Sequence, residues 1–208
     1  MDRGMATVER TIGADVSSEG TGAAPLTSRF PMFTLALVWS QPLTLPRTDT
    51  SGYSFVQVTS GEPGDRVQFG EFVCANIRLR NLRHQVRTST KAVASFCRGE
   101  LATALRKGPK STNLLVAGYD EGKGASLYYL DYLATLHKMN VAGYGYGSWF
   151  VLSMFDRLWH PKLTQAEAED MMMKGIAEVK KRLVTASPSY HIKVVDKDGW
   201  RLVKKVTT

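Results

Sequence analysis

The residues best suited to metal or redox chemistry in this 208-residue sequence are two cysteines and four histidines. Cys74 and Cys97 lie in helix-like segments without C-x-x-C spacing, which argues against a disulfide framework or a zinc site and favours reduced thiols. The histidines show no H-x-x-x-H spacing and are scattered along the chain at His84, His137, His160 and His191. We therefore assign no metal site and no metal cofactor.

Two further segments could bind phosphate or nucleic acid. Gly143-Tyr144-Gly145-Tyr146-Gly147 resembles a glycine loop at a helix N-terminus, but it lacks the G-x-x-x-x-G-K-[ST] pattern and its tyrosines would crowd a nucleotide. We interpret it as a strand-to-helix turn that requires glycine. The second segment is basic and surrounds an interhelical turn, where no RNA- or DNA-reading motif accompanies it. We interpret it as a solvated helix end or a face that docks on a partner, and its members are Arg78, Arg80, Arg83, His84, Arg87 and Lys91.

Composition fits a single globular domain. The hydrophobic fraction is 43% and the charged fraction 22%, which excludes a membrane protein and a wholly disordered chain. The apolar run at residues 30–39 is too short to span a bilayer. The net charge of +8 is uneven, because residues 1–60 carry four arginines and five acids while the rest carries 23 bases and 14 acids. A basic domain of this kind suits an acidic partner.

The chain divides near residue 55. Residues 1–54 are rich in Gly, Ser, Thr and Pro, and we expect them to form a divergent or disordered N-terminal segment, with residues 1–28 poorly ordered. Within it, Phe33 to Trp39 could form at most a short strand. We assign residues 55–208 to one folded domain.

Periodicity predicts the elements of that domain. A strand at 54–60 is followed by helices at 65–84 and from Ser89 to the stop at Lys107-Gly108-Pro109. Strands are predicted at 113–119, 125–133 and 134–141, then a helix from Gly143 to Trp159. Thr164 and Glu167 have capping-box spacing before a helix that contains Met171 to Met173, interpreted as core and interface residues. A hairpin at 190–206 ends the domain. Paired helices and antiparallel hairpins predict an α+β fold, a four-layer αββα sandwich.

Residues 58–200 resemble the beta-type subunits of the eukaryotic proteasome, in particular the non-catalytic member at the fourth position of the beta ring in its plant or algal form. The motifs that carry the resemblance are Gly61 to Phe69 (GEPGDRVQF), Arg98 to Lys107 (RGELATALRK), Leu115 to Asp120 (LVAGYD), Gly124 to Tyr132 (GASLYYLDY), Gly145 to Ser148 (GYGS) and Val195 to Gly199 (VDKDG). The resemblance implies the four-layer fold of the N-terminal-nucleophile hydrolases. The first strands of that fold are poorly represented here.

The resemblance also implies where catalytic groups would stand. Catalytic members expose a threonine after a glycine, with an aspartate sixteen residues and a lysine thirty-two residues further on. Gly20-Thr21 is the upstream Gly-Thr pair, and the positions that follow hold Leu37 and Tyr53. Tyr146 replaces an assisting serine, and Leu183 stands where an aspartate is expected. We therefore assign no catalytic and no cofactor-binding residue.

The sequence thus predicts a non-catalytic structural beta subunit of the 20S proteasome core particle. The resemblance implies partners, the other alpha and beta subunits of a 28-subunit hetero-oligomer, and ubiquitin-dependent protein degradation in cytoplasm and nucleus. No nucleic acid, membrane or cofactor is expected. The alternatives are a free-standing N-terminal-nucleophile amidohydrolase and a basic nucleic-acid-binding module, which a salt-dependent gel shift would reveal.

Overall fold

The computed structural model describes residues 35–38, 55–184 and 189–207, the first of these by its backbone. The expectations for residues 1–28 fall outside the described residues. In chain order the elements are β1 Leu35–Val38, β2 Phe55–Gly61, α1 Pro63–His84, α2 Thr90–Leu105, β3 Thr112–Asp120, β4 Gly124–Leu130, β5 Leu136–Met139, β6 Val141–Tyr144, α3 Tyr146–Leu158, α4 Gln165–Arg182, β7 Ser189–Asp196 and β8 Gly199–Thr207.

The first half of the domain is an antiparallel sheet of four strands in the order β2-β3-β4-β5. The β3–β4 hairpin turns through Gly122 and Gly124, both with positive φ, a conformation that glycine adopts without a steric penalty. The helices α1 and α2 cover one face of this sheet. Between them lies a buried core whose members include Phe69, Val73 and Ile77 of α1.

Apolar side chains recur every four residues in both helices, which predicts one buried face on each; this is confirmed except at the end of the α2 stripe, where Leu105 is 38% exposed. Val93, Cys97 and Leu101 of α2 are fully or almost fully buried, at the four-residue spacing that the sequence shows. Ser89 caps α2, because its hydroxyl oxygen accepts a hydrogen bond from the Ala92 N–H at 3.3 Å. Such a cap contributes about 1 kcal/mol to stability.

The second half places α3 and α4 against β1, β6 and β7. Thr164 and Glu167 form the predicted capping box at the start of α4, with both reciprocal hydrogen bonds present. The core of this half contains Met171 and Met172, which confirms their interpretation as core residues. Gly175 of α4 also lies in it, against the ring of Phe155 of α3.

The two halves meet through their sheets. β3 and β4 contact β6 and β7, and a third buried cluster joins Leu115 and Leu127 of the first sheet to Ala142 and Tyr144 of β6. The order of layers is therefore two helices, the four-stranded sheet, a second strand layer made of the pairs β1–β6 and β7–β8, and two helices. This confirms the predicted αββα sandwich.

Three details of the prediction are wrong. The strand assigned to 134–141 is two strands, β5 and β6, separated at Asn140, and β6 continues to Tyr144 where we predicted the opening of a helix. The strand assigned to 125–133 ends at Leu130, because the chain then turns at Asp131. The strands are also not all antiparallel, since β1 pairs parallel to β6 with Leu35 opposite Val141.

Candidate functional site

The turn between β6 and α3 leads to Tyr146, the position at which the resemblance implies a serine that assists the threonine nucleophile. Gly145 has φ of 81°, so this turn does require glycine, as the sequence indicated. Ser148 is buried, and its polar groups make local hydrogen bonds. Its hydroxyl donates to the Gly145 carbonyl at 2.6 Å, and its N–H donates to the same oxygen at 3.1 Å. The Ser148 hydroxyl is thus used to close the first turn of α3.

Tyr146 is the first residue of α3 and its side chain is 64% exposed. Its ring meets Trp149 edge to face, with centroids 5.9 Å apart. The phenol therefore belongs to an exposed aromatic pair on the helix surface. An aromatic pair of this kind has the chemistry of a contact surface, because it offers a large apolar area with a polar tip.

The other four predicted positions lie as follows. Leu37 sits in β1 with its Cα opposite Gly143 of β6, and because the strands are parallel, the carboxyl ends of both point toward the β6–α3 turn. Thr21 and Tyr53 lie outside the described residues. Leu183 follows the last turn of α4, where its N–H donates to the Val179 carbonyl at 2.8 Å and its side chain packs on the core. The fold thus brings Leu37 and Tyr146 to one end of the sheet, and Leu183 serves as a helix terminus.

Tyr144, which belongs to the glycine–tyrosine segment, is a buried phenol for which no sequence motif indicates a role. Its ring stacks on Tyr129 at 4.7 Å and its hydroxyl donates to the Leu130 carbonyl. Burial raises the pKa of Tyr144 far above its ordinary value. Because a general base or acid must exchange a proton near neutral pH, Tyr144 is suited to joining the two sheets and not to proton transfer.

The cysteines are equally unsuited to nucleophilic attack. Cys74 accepts a hydrogen bond from the Gln57 side-chain amide at 3.3 Å, and Cys97 is fully buried. Burial raises the pKa of the Cys74 thiol to about 11 and that of Cys97 to about 12. Both thiols stay protonated at neutral pH, whereas the thiolate is the reactive form.

The Thr164 hydroxyl donates a hydrogen bond to the Glu167 carboxylate at 2.8 Å. This pair is the capping box of α4. Hydrogen bonds from the backbone and then the side chain of Thr164 hold the pKa of Glu167 below its ordinary value, which makes this carboxylate a weaker base.

Metal-binding groups are dispersed in the described part of the chain. All four histidines are exposed, and no group of three or more His, Cys, Asp or Glu residues there could hold a metal ion. No helix among the described residues is long and apolar enough to cross a membrane.

A cavity of about 250 Å³ opens between β4, β5, β6 and α3. Its walls are mostly apolar, and Asp156 carries the carboxylate among them. In the described chain, its lining includes no serine, threonine, cysteine or lysine, the side chains that act as nucleophiles in hydrolases. The residues that line it are Tyr129, Met139, Val141, Ala142, Gly143, Leu152 and Asp156.

Comparison with known proteins identifies the class of this chain. A family profile described as "Proteasome subunit" matches residues 53–195. The chain therefore belongs to the proteasome subunit family.

Individual relatives narrow the likeness to one kind of beta subunit. The chain is 54% identical to "Proteasome subunit beta type-2-A" of Arabidopsis thaliana over 155 residues, covering 72% of this chain and 76% of the relative. It is 54% identical to "Proteasome subunit beta type-2" of Oryza sativa subsp. japonica over 142 residues, covering 68% and 67%. It is 42% identical to "Proteasome subunit beta type-2" of Dictyostelium discoideum over 149 residues, covering 70% and 75%. The resemblance to the beta type-2 subunits, in plant form, is confirmed, and the function is that of a proteasome core beta subunit.

Proposed function

We propose that this chain is a non-catalytic, structural subunit of the proteasome core, which supports the ring and encloses the degradation chamber without an active site of its own. The observation that supports this most is the chemistry of the positions where the family's catalytic groups would stand. Tyr146 lies in an exposed aromatic pair, Leu183 ends a helix, and Leu37 lies in a strand. Neither leucine can lower the pKa of a threonine amine or orient it.

Exposed apolar faces favour a role in assembly. Along α1, Phe72, Leu79 and Leu82 are 42–70% exposed at intervals of seven and three residues, the spacing of a helix seam, and Val86 just beyond the helix is 66% exposed. On α3, Trp149 is 77% exposed. Apolar surface of this extent on a soluble chain marks a protein contact. In a hetero-oligomeric ring each subunit has two different neighbours, so separate patches of this kind are expected.

The proposal includes the assembly and its location. We propose a 28-subunit particle of alpha and beta subunits, roughly 700 kDa in mass and present in cytoplasm and nucleus, whose job is ubiquitin-dependent degradation. Two buried, unpaired cysteines, Cys74 and Cys97, suit these reducing compartments. We also propose that residues 1–54 are a divergent segment preceding the beta-type domain of residues 55–208.

The test uses the particle itself. The tagged chain is purified from its native source and treated with a covalent, N-terminal-threonine-directed inhibitor, and each subunit is then examined by mass spectrometry. We expect adducts on other subunits and none on this chain. The variant Tyr146→Ser, which restores one hydroxyl, should also stay unlabelled, because the other groups are still missing. An adduct on Thr21 would overturn the proposal.

A further inference from the structure

The cavity between β4, β5, β6 and α3 combines apolar walls with one carboxylate. Met139, Val141 and Leu152 supply apolar surface, and Asp156 supplies the charge. At about 30 Å³ for a water-sized atom, the volume of about 250 Å³ holds about eight non-hydrogen atoms. Sites for drug-sized ligands are larger, from about 300 Å³ upward. The cavity therefore suits a small compound with an apolar body.

The carboxylate of Asp156 sets the sign of the charge that fits. Asp156 is an exposed residue of α3 and follows Leu152 by four residues, so the two side chains share one face of the helix. Among the described side chains, no lysine, arginine or histidine forms an ion pair with Asp156. An uncompensated carboxylate at the rim of an apolar cavity attracts a cation and repels an anion.

The aromatic wall of the cavity favours the same charge. The ring of Tyr129 lines the cavity and stacks on Tyr144, with centroids 4.7 Å apart. The Tyr144 hydroxyl donates to the Leu130 carbonyl, which fixes that partner ring. An aromatic ring held in place attracts an ammonium group through its quadrupole. Tyr129 and Asp156 thus both favour a cationic ligand.

The edge of β6 supplies acceptors for an ammonium group. The consecutive residues Val141, Ala142 and Gly143 all line the cavity, although their side chains alternate between the two faces of the strand. The cavity therefore runs along the strand edge. Within the described chain β6 pairs along one edge only, with β1. Backbone carbonyls alternate between the two edges of a strand, so those directed away from β1 can accept the N–H groups of a ligand.

We infer that this cavity binds a small organic cation, an ammonium group on an apolar body of about eight non-hydrogen atoms in all. The ammonium group lies between Asp156 and the open edge of β6, and the apolar body packs on Met139, Leu152 and the ring of Tyr129. The inference goes beyond the proposed function and does not require assembly.

Two probes of equal size test the charge. Benzylammonium and benzyl alcohol are titrated into the full chain at pH 7.5, and the methyl signal of Met139 is followed by NMR with 13C-methyl methionine, assigned with Met139→Leu. We expect a dissociation constant of about 1 mM for benzylammonium, within the range of so small a ligand, and binding of benzyl alcohol that is at least threefold weaker.

The variants assign the effect to the cavity. Asp156→Asn should weaken benzylammonium about three- to fivefold, the upper range for an exposed ion pair, and leave benzyl alcohol unchanged. The matched control Asp170→Asn removes an exposed carboxylate of α4 and should change neither probe. Leu152→Phe enlarges a wall residue and should weaken both probes. Thermal melts must show the variants folded.

Three results would overturn the inference. These are no shift of the Met139 signal at 20 mM benzylammonium, equal affinity for the two probes, and an equal effect of Asp156→Asn and Asp170→Asn. The same titration of the purified particle is the second arm, and binding to the free chain alone would identify the cavity as a covered contact and not a ligand site. If the chain is found only outside the particle, the proposed function fails while the free-chain titration still decides the inference.

Discussion

Two helical glycines provide a matched test of the packing between α3 and α4. Gly175 is buried in α4, where an added Cβ would lie 2.8 Å from Cζ and 2.9 Å from Cε1 of Phe155, and 3.5 Å from a methyl of Val151. Gly99 is exposed in α2, and an added Cβ would meet nothing within 4 Å. The same substitution to alanine should therefore have opposite effects at the two positions.

The magnitudes follow from two terms. Alanine is favoured over glycine in a helix by about 0.8–1 kcal/mol, which acts at both sites. At Gly175 the contact with Phe155 opposes this gain, because the ring is fully buried and cannot swing aside. Overpacking of a core costs about 1–3 kcal/mol, and two ring carbons closer than 3.0 Å place this site in the upper part of that range. We expect Gly175→Ala to lower the free energy of unfolding by about 1–2 kcal/mol and Gly99→Ala to raise it by about 0.5–1 kcal/mol.

Urea unfolding followed by circular dichroism measures both changes, and each kcal/mol should shift the melting temperature by about 2–4 °C in a chain of this size. A double-mutant cycle adds the mechanism. Phe155→Leu removes the ring carbons that the new methyl group of Gly175→Ala would contact. The double variant should therefore lose less free energy of unfolding than the two single variants added together, by about 1 kcal/mol or more. If Gly175→Ala stabilises the chain as much as Gly99→Ala does, the close packing of α3 on α4 is wrong.

Three further predictions concern a turn, a cap and the thiols. Gly61→Ala should lower the free energy of unfolding in urea by about 3 kcal/mol or more, because Gly61 has φ of 135° and the new Cβ would lie 2.2 Å from the Ser111 carbonyl oxygen. A loss smaller than that of Gly175→Ala would contradict this. The folded chain lowers the pKa of Glu167, so the ionised carboxylate stabilises the fold above its ordinary pKa of 4.5, and this stabilisation is lost as the pH falls through the lowered pKa. The free energy of unfolding of Glu167→Gln should therefore fall less than that of wild type between about pH 5 and pH 3. An unchanged pH profile would refute this. Iodoacetamide at pH 8 should alkylate Cys74 and Cys97 only in the unfolded chain. In the folded chain their pKa values are about 11 or higher, so at most about one thiol in a thousand is ionised at this pH. Rapid labelling of the native protein would disprove the prediction.

Local sequence signals predicted the helices well. Ser89 and the Thr164–Glu167 box begin α2 and α4 as expected, because a capping side chain acts within a few residues of its own position. The buried faces of α1 and α2 follow from the four-residue spacing of their apolar side chains, which needs no knowledge of the partner sheet.

Other features depend on contacts between distant segments, and the sequence did not reveal them. Tyr132 and Leu133 continue an apolar run, which predicts a strand, but the hydrogen bonds to Asp131 and Asn113 turn the chain away instead. The glycine-tyrosine repeat from Gly143 predicts the start of a helix, but β6 extends to Tyr144 because it pairs with β1. At the candidate site, the sequence motif is enough to identify the position of Tyr146. The contact of its ring with Trp149 and the hydrogen bond of the Ser148 hydroxyl to Gly145 are visible only in the structure.

The parallel pairing of β1 with β6 imposes an order on the chain as it is synthesised. Leu35 of β1 cannot pair until its partner Val141 of β6 has been synthesised. Val141 lies more than a hundred positions later in the chain, which takes the ribosome roughly 5–20 s. During that interval β2, β3 and β4 can already form, yet Leu115 and Leu127 face outward until Ala142 and Tyr144 arrive to cover them. The nascent chain is then most prone to aggregation, and a chaperone that protects it would need to cover the inner face of this first sheet.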